Sequence, residues 1–139
     1  MSKLKTILID PKKRTVENLE IDYDHQDLNS FTKMKEAIDL KNRDLAQLVY
    51  ANSITGDSLL VDEEGLLKDG DKDLFLFFVH EDNYYQILCG KTLVVGTDNV
   101  GDFCDVDFFL DDVKDRILWD NNNLHRHPRI SGIINMTRG

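Results

Sequence analysis

Asp98, Asp102, Asp105 and Asp107 place four carboxylates within ten residues of chain. Carboxylates at that density suit three kinds of chemistry. They can hold a calcium ion weakly, mimic the phosphates of a nucleic acid, or dock on a basic protein surface. Glu63 and Glu64 form a second acidic pair, which we place beside the first four. The plain alternative is that acids on strand edges keep a small protein soluble and block sheet-to-sheet aggregation.

The other residue types that could do chemistry lack the spacing for it. Asp69, Asp71 and Asp73 open like a calcium loop, but that loop needs Gly at its sixth position and Glu at its twelfth. Leu74 and His80 stand there instead. His125 and His127 are two metal ligands without a third nearby. Cys89 and Cys104 are too few for a disulfide framework and lack the close His or second Cys pair of a zinc site, so we read them as reduced thiols. Neither a glycine-rich phosphate loop nor a nucleophile elbow occurs. The expectation is therefore a protein without catalytic residues, bound metal or cofactor. If a nucleotide were bound, its pocket would draw on Tyr84, Tyr85, Lys91, Arg116, Arg126 and Arg129, the available aromatics and bases.

The elements that must position these residues follow from periodicity. Lys3–Ile9 alternates and stops at Asp10-Pro11. Thr15–Asp22 resumes the alternation, which predicts a first β-hairpin with Pro11–Arg14 as its loop. Leu28, Phe31, Met34, Ala37 and Ile38 recur at three- and four-residue spacing, predicting a helix over about 27–40. Strands are expected at 45–52, 58–62, 74–80, 84–89, 92–96 and 102–107. The almost wholly apolar run Leu74–His80 should be central and covered on both faces. Gly90-Lys91 has the form of a type II′ turn joining 84–89 to 92–96 as a hairpin. A second helix is predicted over about 108–119, with Leu110, Val113, Ile117 and Leu118 inward. The fold class is α+β, a mainly antiparallel sheet of about six to seven strands with two helices.

The chain has 139 residues, enough for one domain that folds without metal or disulfide. We read residues 1–120 as a single domain and 121–139 as a basic tail. The net charge of −9 is unevenly spread, because residues 15–120 carry −16 and both ends are basic. Such a body repels nucleic acid and attracts basic surfaces. Apolar runs are too short to span a bilayer, and the N-terminus lacks an export signal, so a cytosolic protein with no membrane role is expected. Ile130, Ile133, Ile134 and Met136 predict that part of the tail docks, on its own domain or on a second copy.

The segments TILIDPKKRTVENLEID, VDEEGLLK, LVVGTDNVGDFCDV and FLDDVKDRI together resemble a family of small proteins labelled domain of unknown function 3846, over roughly residues 4–118. The resemblance implies a protein of bacterial phages, plasmids and integrative elements, from among accessory and anti-restriction genes. It assigns no catalytic residue. The function expected is a non-catalytic accessory protein that binds a host protein through its acidic face, in host takeover or anti-defence, by nucleic-acid mimicry where the host protein is a basic nucleic-acid binder. The alternatives are a sponge for a nucleotide signal and a structural or regulatory homo-oligomer.

Overall fold

The computed structural model describes residues 2–24, 26–27, 29–41, 43–52, 56–63, 74–79 and 84–119. The first hairpin forms as its alternation requires. Strand β1 (Ser2–Asp10) pairs antiparallel with β2 (Thr15–Tyr23) in unbroken register from Ser2↔Tyr23 to Asp10↔Thr15. Asp10 shapes the turn, because its Oδ1 accepts the backbone N–H groups of Lys12 and Lys13 at 3.0 and 3.3 Å.

Helix α1 (Asn29–Ala37) buries Met34 and carries Ile38 and Leu40 onto the same core. It is shorter than the 27–40 expected from periodicity. The stop is a Schellman cap. Asp39 takes φ 64°, and the Leu40 N–H reaches the Lys35 carbonyl at 2.9 Å while the Asp39 N–H reaches that of Glu36 at 3.0 Å.

Strands β3 (Ala46–Asn52), β4 (Asp57–Asp62) and β7 (Thr92–Thr97) join the hairpin in one sheet ordered β2-β1-β7-β4-β3, with the two-residue strand β8 (Phe103–Cys104) added to β7. A second sheet has the order β6-β5-β9, from β5 (Leu74–Val79), β6 (Tyr84–Cys89) and β9 (Ile117–Leu118). Every described pairing is antiparallel. The α+β class and the mainly antiparallel sheet stand as expected. The described strands number nine rather than six to seven, and of these only β9 lies outside the segments expected as strands.

Alternation explains the layers. On β4, Leu59 and Val61 face one core and Leu60 the other; on β7, Val94 faces the first while Leu93 and Val95 face the second. One core fills the space between the larger sheet and the smaller one, with Phe75, Phe77, Phe108 and Val113 in it. The other lies under α1, where Leu4, Ile21, Met34 and Ile38 meet Leu60 and Leu93. The larger sheet is thus covered on both faces, which is why β4 and β7 read as unbroken apolar runs. β5 is central in the smaller sheet, with Phe75, Leu76, Phe77 and Val79 buried.

Three expectations are corrected. The predicted helix over 108–119 shrinks to α2 (Leu110–Asp115), and Ile117–Leu118 instead pairs with Phe77 and Leu76 as β9. Strand 102–107 reduces to Phe103–Cys104. Gly90 does adopt the positive φ of 83° that its turn chemistry predicts, but β6 and β7 form no hairpin. β6 pairs with β5 and β7 with β1, β4 and β8, so Gly90-Lys91 carries the chain from one sheet to the other. Cys89 is buried and Cys104 half-buried, and no disulfide joins them. The 121–139 tail, His80 and the 69–73 loop lie outside the described residues.

Candidate functional site at the acidic end of the larger sheet

β1 and β7 pair only at Ile7–Ile9 and Thr92–Val94. Beyond that point they part, and residues 103–106 fill the gap as a wedge. On one side Cys104 pairs with Gly96 and Phe103 with Thr97. On the other the Lys5 N–H donates to Asp105 Oδ1 at 2.9 Å, and the Val106 N–H donates to the Lys5 carbonyl at 2.9 Å. The wedge fits because residue 96 has no side chain. A Cβ there would overlap the Asp105 carbonyl oxygen and come within 3.0 Å of the Cys104 carbonyl oxygen. Both obstacles are backbone, so Gly96→Ala should expel the wedge at a cost of about 1–3 kcal/mol. Urea melts measure that loss, and an unchanged midpoint would show that the wedge is not seated as described.

The loop leading into the wedge is laced by Asp98. Its Oδ1 accepts the N–H groups of Val100 and Asp102, both at 3.0 Å, and its own N–H donates to the Asp102 carbonyl at 2.9 Å. Below the wedge, the carboxylate of Asp57 accepts the N–H of Asp107 at 2.9 Å and that of Phe108 at 2.8 Å. Asp57 is fully buried, and it is the residue of this candidate site that sequence reasoning missed. Fifty residues separate it from its partner, so no local pattern could announce it.

Four of the six predicted acids therefore lie together. Asp98, Asp102, Asp105 and Asp107 crown one end of the larger sheet, though Asp98 and Asp105 also hold backbone in place. Glu63 does not join them. Asp57 sits opposite Gly96 at the acidic end, and Glu63 follows the far end of β4, roughly 20 Å along the strand at ~3.3 Å per residue. Glu64 lies outside the described residues. Apolar side chains stand among the four acids. Val100 is 81% exposed and Phe109 78% exposed. Phe31 reaches over from α1 to stack on Phe103 with ring centroids 6.0 Å apart.

A cleft of about 300 Å³ opens beside the wedge, lined by Lys3, Leu4, Tyr23, Phe103 and Cys104 with Asp98 and Asp105. Burial, and then the charge of Asp102, push the Tyr23 hydroxyl above its ordinary pKa. Burial also raises the Cys104 thiol, and Asp98 and Asp57 add to the effect. That is the opposite of an activated nucleophile. Among the described residues, no three His, Cys, Asp or Glu side chains are grouped to hold a metal ion.

The base at the cleft mouth is already paired. Lys3 Nζ lies 2.6 Å from Asp22 Oδ1, and that hydrogen bond holds the Asp22 carboxyl below the usual range and Lys3 above its own. A depressed carboxyl contributes stability that is present above its unfolded pKa and lost as pH falls through its folded one. The raised lysine contributes below its unfolded pKa, and that part is lost as pH rises through its folded one. Because both groups are exposed, the effect belongs in a titration rather than a melt. Lys3→Met should return the Asp22 pKa to the ordinary carboxylate range by NMR, with the melting temperature nearly unchanged. An unmoved Asp22 pKa would rule the pair out in solution.

Of the residues proposed for a nucleotide pocket, the described side chains of Tyr85, Lys91 and Arg116 do not converge. Tyr85 packs against Phe78 in the smaller sheet with the rings tilted and their centroids 4.8 Å apart. Lys91 pairs with Asp39 at the end of α1, Nζ to Oδ2 at 3.1 Å. The Arg116 guanidinium lies 4.5 Å from the Phe108 ring centroid and donates to the Phe78 carbonyl at 3.3 Å, so it fastens β9 to the core. Arg126, Arg129 and the side chain of Tyr84 lie outside the described residues. No helix among the described residues is long and apolar enough to cross a membrane. Comparisons with protein-family models, with curated proteins and with solved structures give no match for this chain.

Proposed function

We propose that this protein is a non-catalytic binder of a basic host protein, and that the acidic end of the larger sheet is its contact surface. The observation that carries the reading is the composition of that end. Exposed Val100 and Phe109 stand among Asp98, Asp102, Asp105 and Asp107 on a backbone laced rigid by Asp98 and Asp57. Acids alone would serve solubility. Aromatic and branched side chains exposed within an acidic rim are what a protein interface uses, the apolar groups for affinity and the charges for encounter rate and choice of partner. A preformed loop also lowers the ordering cost of binding. The sequence resemblance supplies the setting, a bacterial mobile element acting in the host cytosol, with anti-defence or host takeover as the role. A nucleic-acid-binding host protein is the natural target, since its basic groove already accepts closely spaced anions.

The test must spare the acids that hold the fold. Asp102→Asn, Asp107→Asn and Phe109→Ser combined leave the Asp98 and Asp57 contacts intact. The wild-type chain should capture a basic host protein from bacterial lysate, and the triple variant should lose it while melting at nearly the same temperature. Capture should also fall steeply as salt rises. Equal capture by both chains across the salt range would sink the proposal.

A further inference from the structure

The cleft beside the wedge combines apolar and acidic lining. Its apolar part is Leu4, which is buried, with the rings of Tyr23 and Phe103, which meet edge-on at 6.0 Å between centroids. Its acids are Asp98 and Asp105, both exposed. Among the described residues, the hydrogen bonds of both carboxylates run through Oδ1, to the N–H groups of Val100 and Asp102 from Asp98 and to that of Lys5 from Asp105. The Oδ2 of each is left for a ligand. The volume of about 300 Å³ lies at the small end of the range for ligand sites, roughly 300–1,000 Å³, and suits one side chain better than a nucleotide. Charge decides the sign of that side chain. Lys3 is the base in the described lining, and its Nζ is held by Asp22. Lys33 acts on the same Asp22, and Lys35 Nζ lies over the Phe31 ring, 6.0 Å from its centroid. Tyr23 and Cys104 feel acids alone. Beyond burial, every charged group that acts on them is a carboxylate, Asp102 and Asp98 on the hydroxyl, and Asp98, Asp57, Asp105 and Asp107 on the thiol.

We propose that this cleft takes a single arginine side chain of a basic partner, its methylene stem against Leu4 and the aromatic rings and its guanidinium at the Asp98 and Asp105 carboxylates. That the arginine belongs to a protein partner rests on the function proposed above, whereas the choice of arginine rests on the lining alone. A guanidinium is planar and stacks on aromatic rings, sheds water more readily than an ammonium, and presents several N–H donors in a fixed fork that matches carboxylate oxygens. A lysine brings a strongly hydrated point charge that uses the rings less well. An anion meets repulsion from both acids. The site is also preformed, because the Oδ1 bonds that lace the backbone fix both carboxylates before a ligand arrives.

The experiment is an NMR titration of the full chain with N-acetyl-argininamide, and with its lysine and citrulline counterparts, the last an uncharged mimic of the same shape. Argininamide should give saturable shifts at Tyr23, Phe103 and Cys104, with a dissociation constant on the order of millimolar, as one side chain allows. Lysinamide should bind more weakly, and citrullinamide should give no saturable shift. Asp98→Asn and Asp105→Asn each keep the Oδ1 that holds the backbone while removing the charge. Combined, they should weaken argininamide binding roughly tenfold. Asp105→Asn alone serves should the double variant fail to fold, with a smaller loss in the same direction. No saturable shift in the wild type, shifts confined to Val100 and Phe109, equal binding of citrullinamide, or unchanged binding by the Asn variants would each overturn the inference. Lysinamide binding as tight as argininamide would overturn the choice of arginine. The titration needs no host protein, so a chain that binds argininamide but captures nothing from lysate supports this inference and sinks only the wider reading.

Discussion

Asp57→Ala is expected to cost about 2–5 kcal/mol and to release the 105–109 segment from the sheet. The carboxylate is fully buried and spends one oxygen on the Asp107 N–H and the other on the Phe108 N–H. Removing it strands two donors at a place where water cannot easily replace it, and each buried donor left unpaired costs about 1–3 kcal/mol. Asp57→Asn keeps the shape but turns one acceptor into an NH₂ group facing an N–H. It should recover only part of the loss. The readout is amide exchange of residues 105–109 together with a urea melt. Faster exchange there, with β1 and β2 still protected, is the expected pattern. If Asp57→Asn matched the wild type in both, the bidentate contact would carry no weight. Partner capture should fall with Asp57→Ala even at concentrations where the chain stays folded, because Phe109 and Asp107 would lose their fixed position.

What the sequence reveals of this molecule is what neighbours in the chain decide. The hairpin at Pro11–Arg14 and the apolar face of α1 are local patterns, and both form where periodicity puts them. Errors arise where a distant strand outcompetes a local preference. Leu110, Val113, Ile117 and Leu118 do fit a helical face, yet Ile117 and Leu118 pair with a strand 40 residues earlier. Gly90 has the turn conformation its type suggests, but the flanking strands find better partners in separate sheets. The site divides in the same way. Asp98, Asp102, Asp105 and Asp107 were legible as a group because they are close in sequence, whereas the position of Glu63 depends on the β4–β7 register. The exposed Phe109 offered no signal, since an outward aromatic looks like an inward one until the sheet is closed.

The other large effect should come from Phe77. Its ring is fully buried between the two sheets and meets Phe108 edge-on, centroids 6.4 Å apart. Phe77→Ala removes most of a side chain from a place where the neighbours belong to different layers and cannot easily collapse together. The expected loss is about 3–5 kcal/mol, a large share of the roughly 5–15 kcal/mol by which a domain is stable. Phe77→Leu keeps most of the volume and should cost clearly less. The pair separates packing from strand propensity, because leucine is no better than phenylalanine as a strand former. A Phe77→Ala loss below about 1 kcal/mol in denaturant melts would mean that the Phe77 ring is not packed between the sheets. The position also couples the fold to the proposed contact surface. Phe77 packs on Phe108, the Phe108 N–H is held by Asp57, and Phe109 follows it outward to solvent. A cavity at Phe77 should therefore loosen the 107–109 segment before it unfolds β1 and β2, and amide exchange in that segment should rise first.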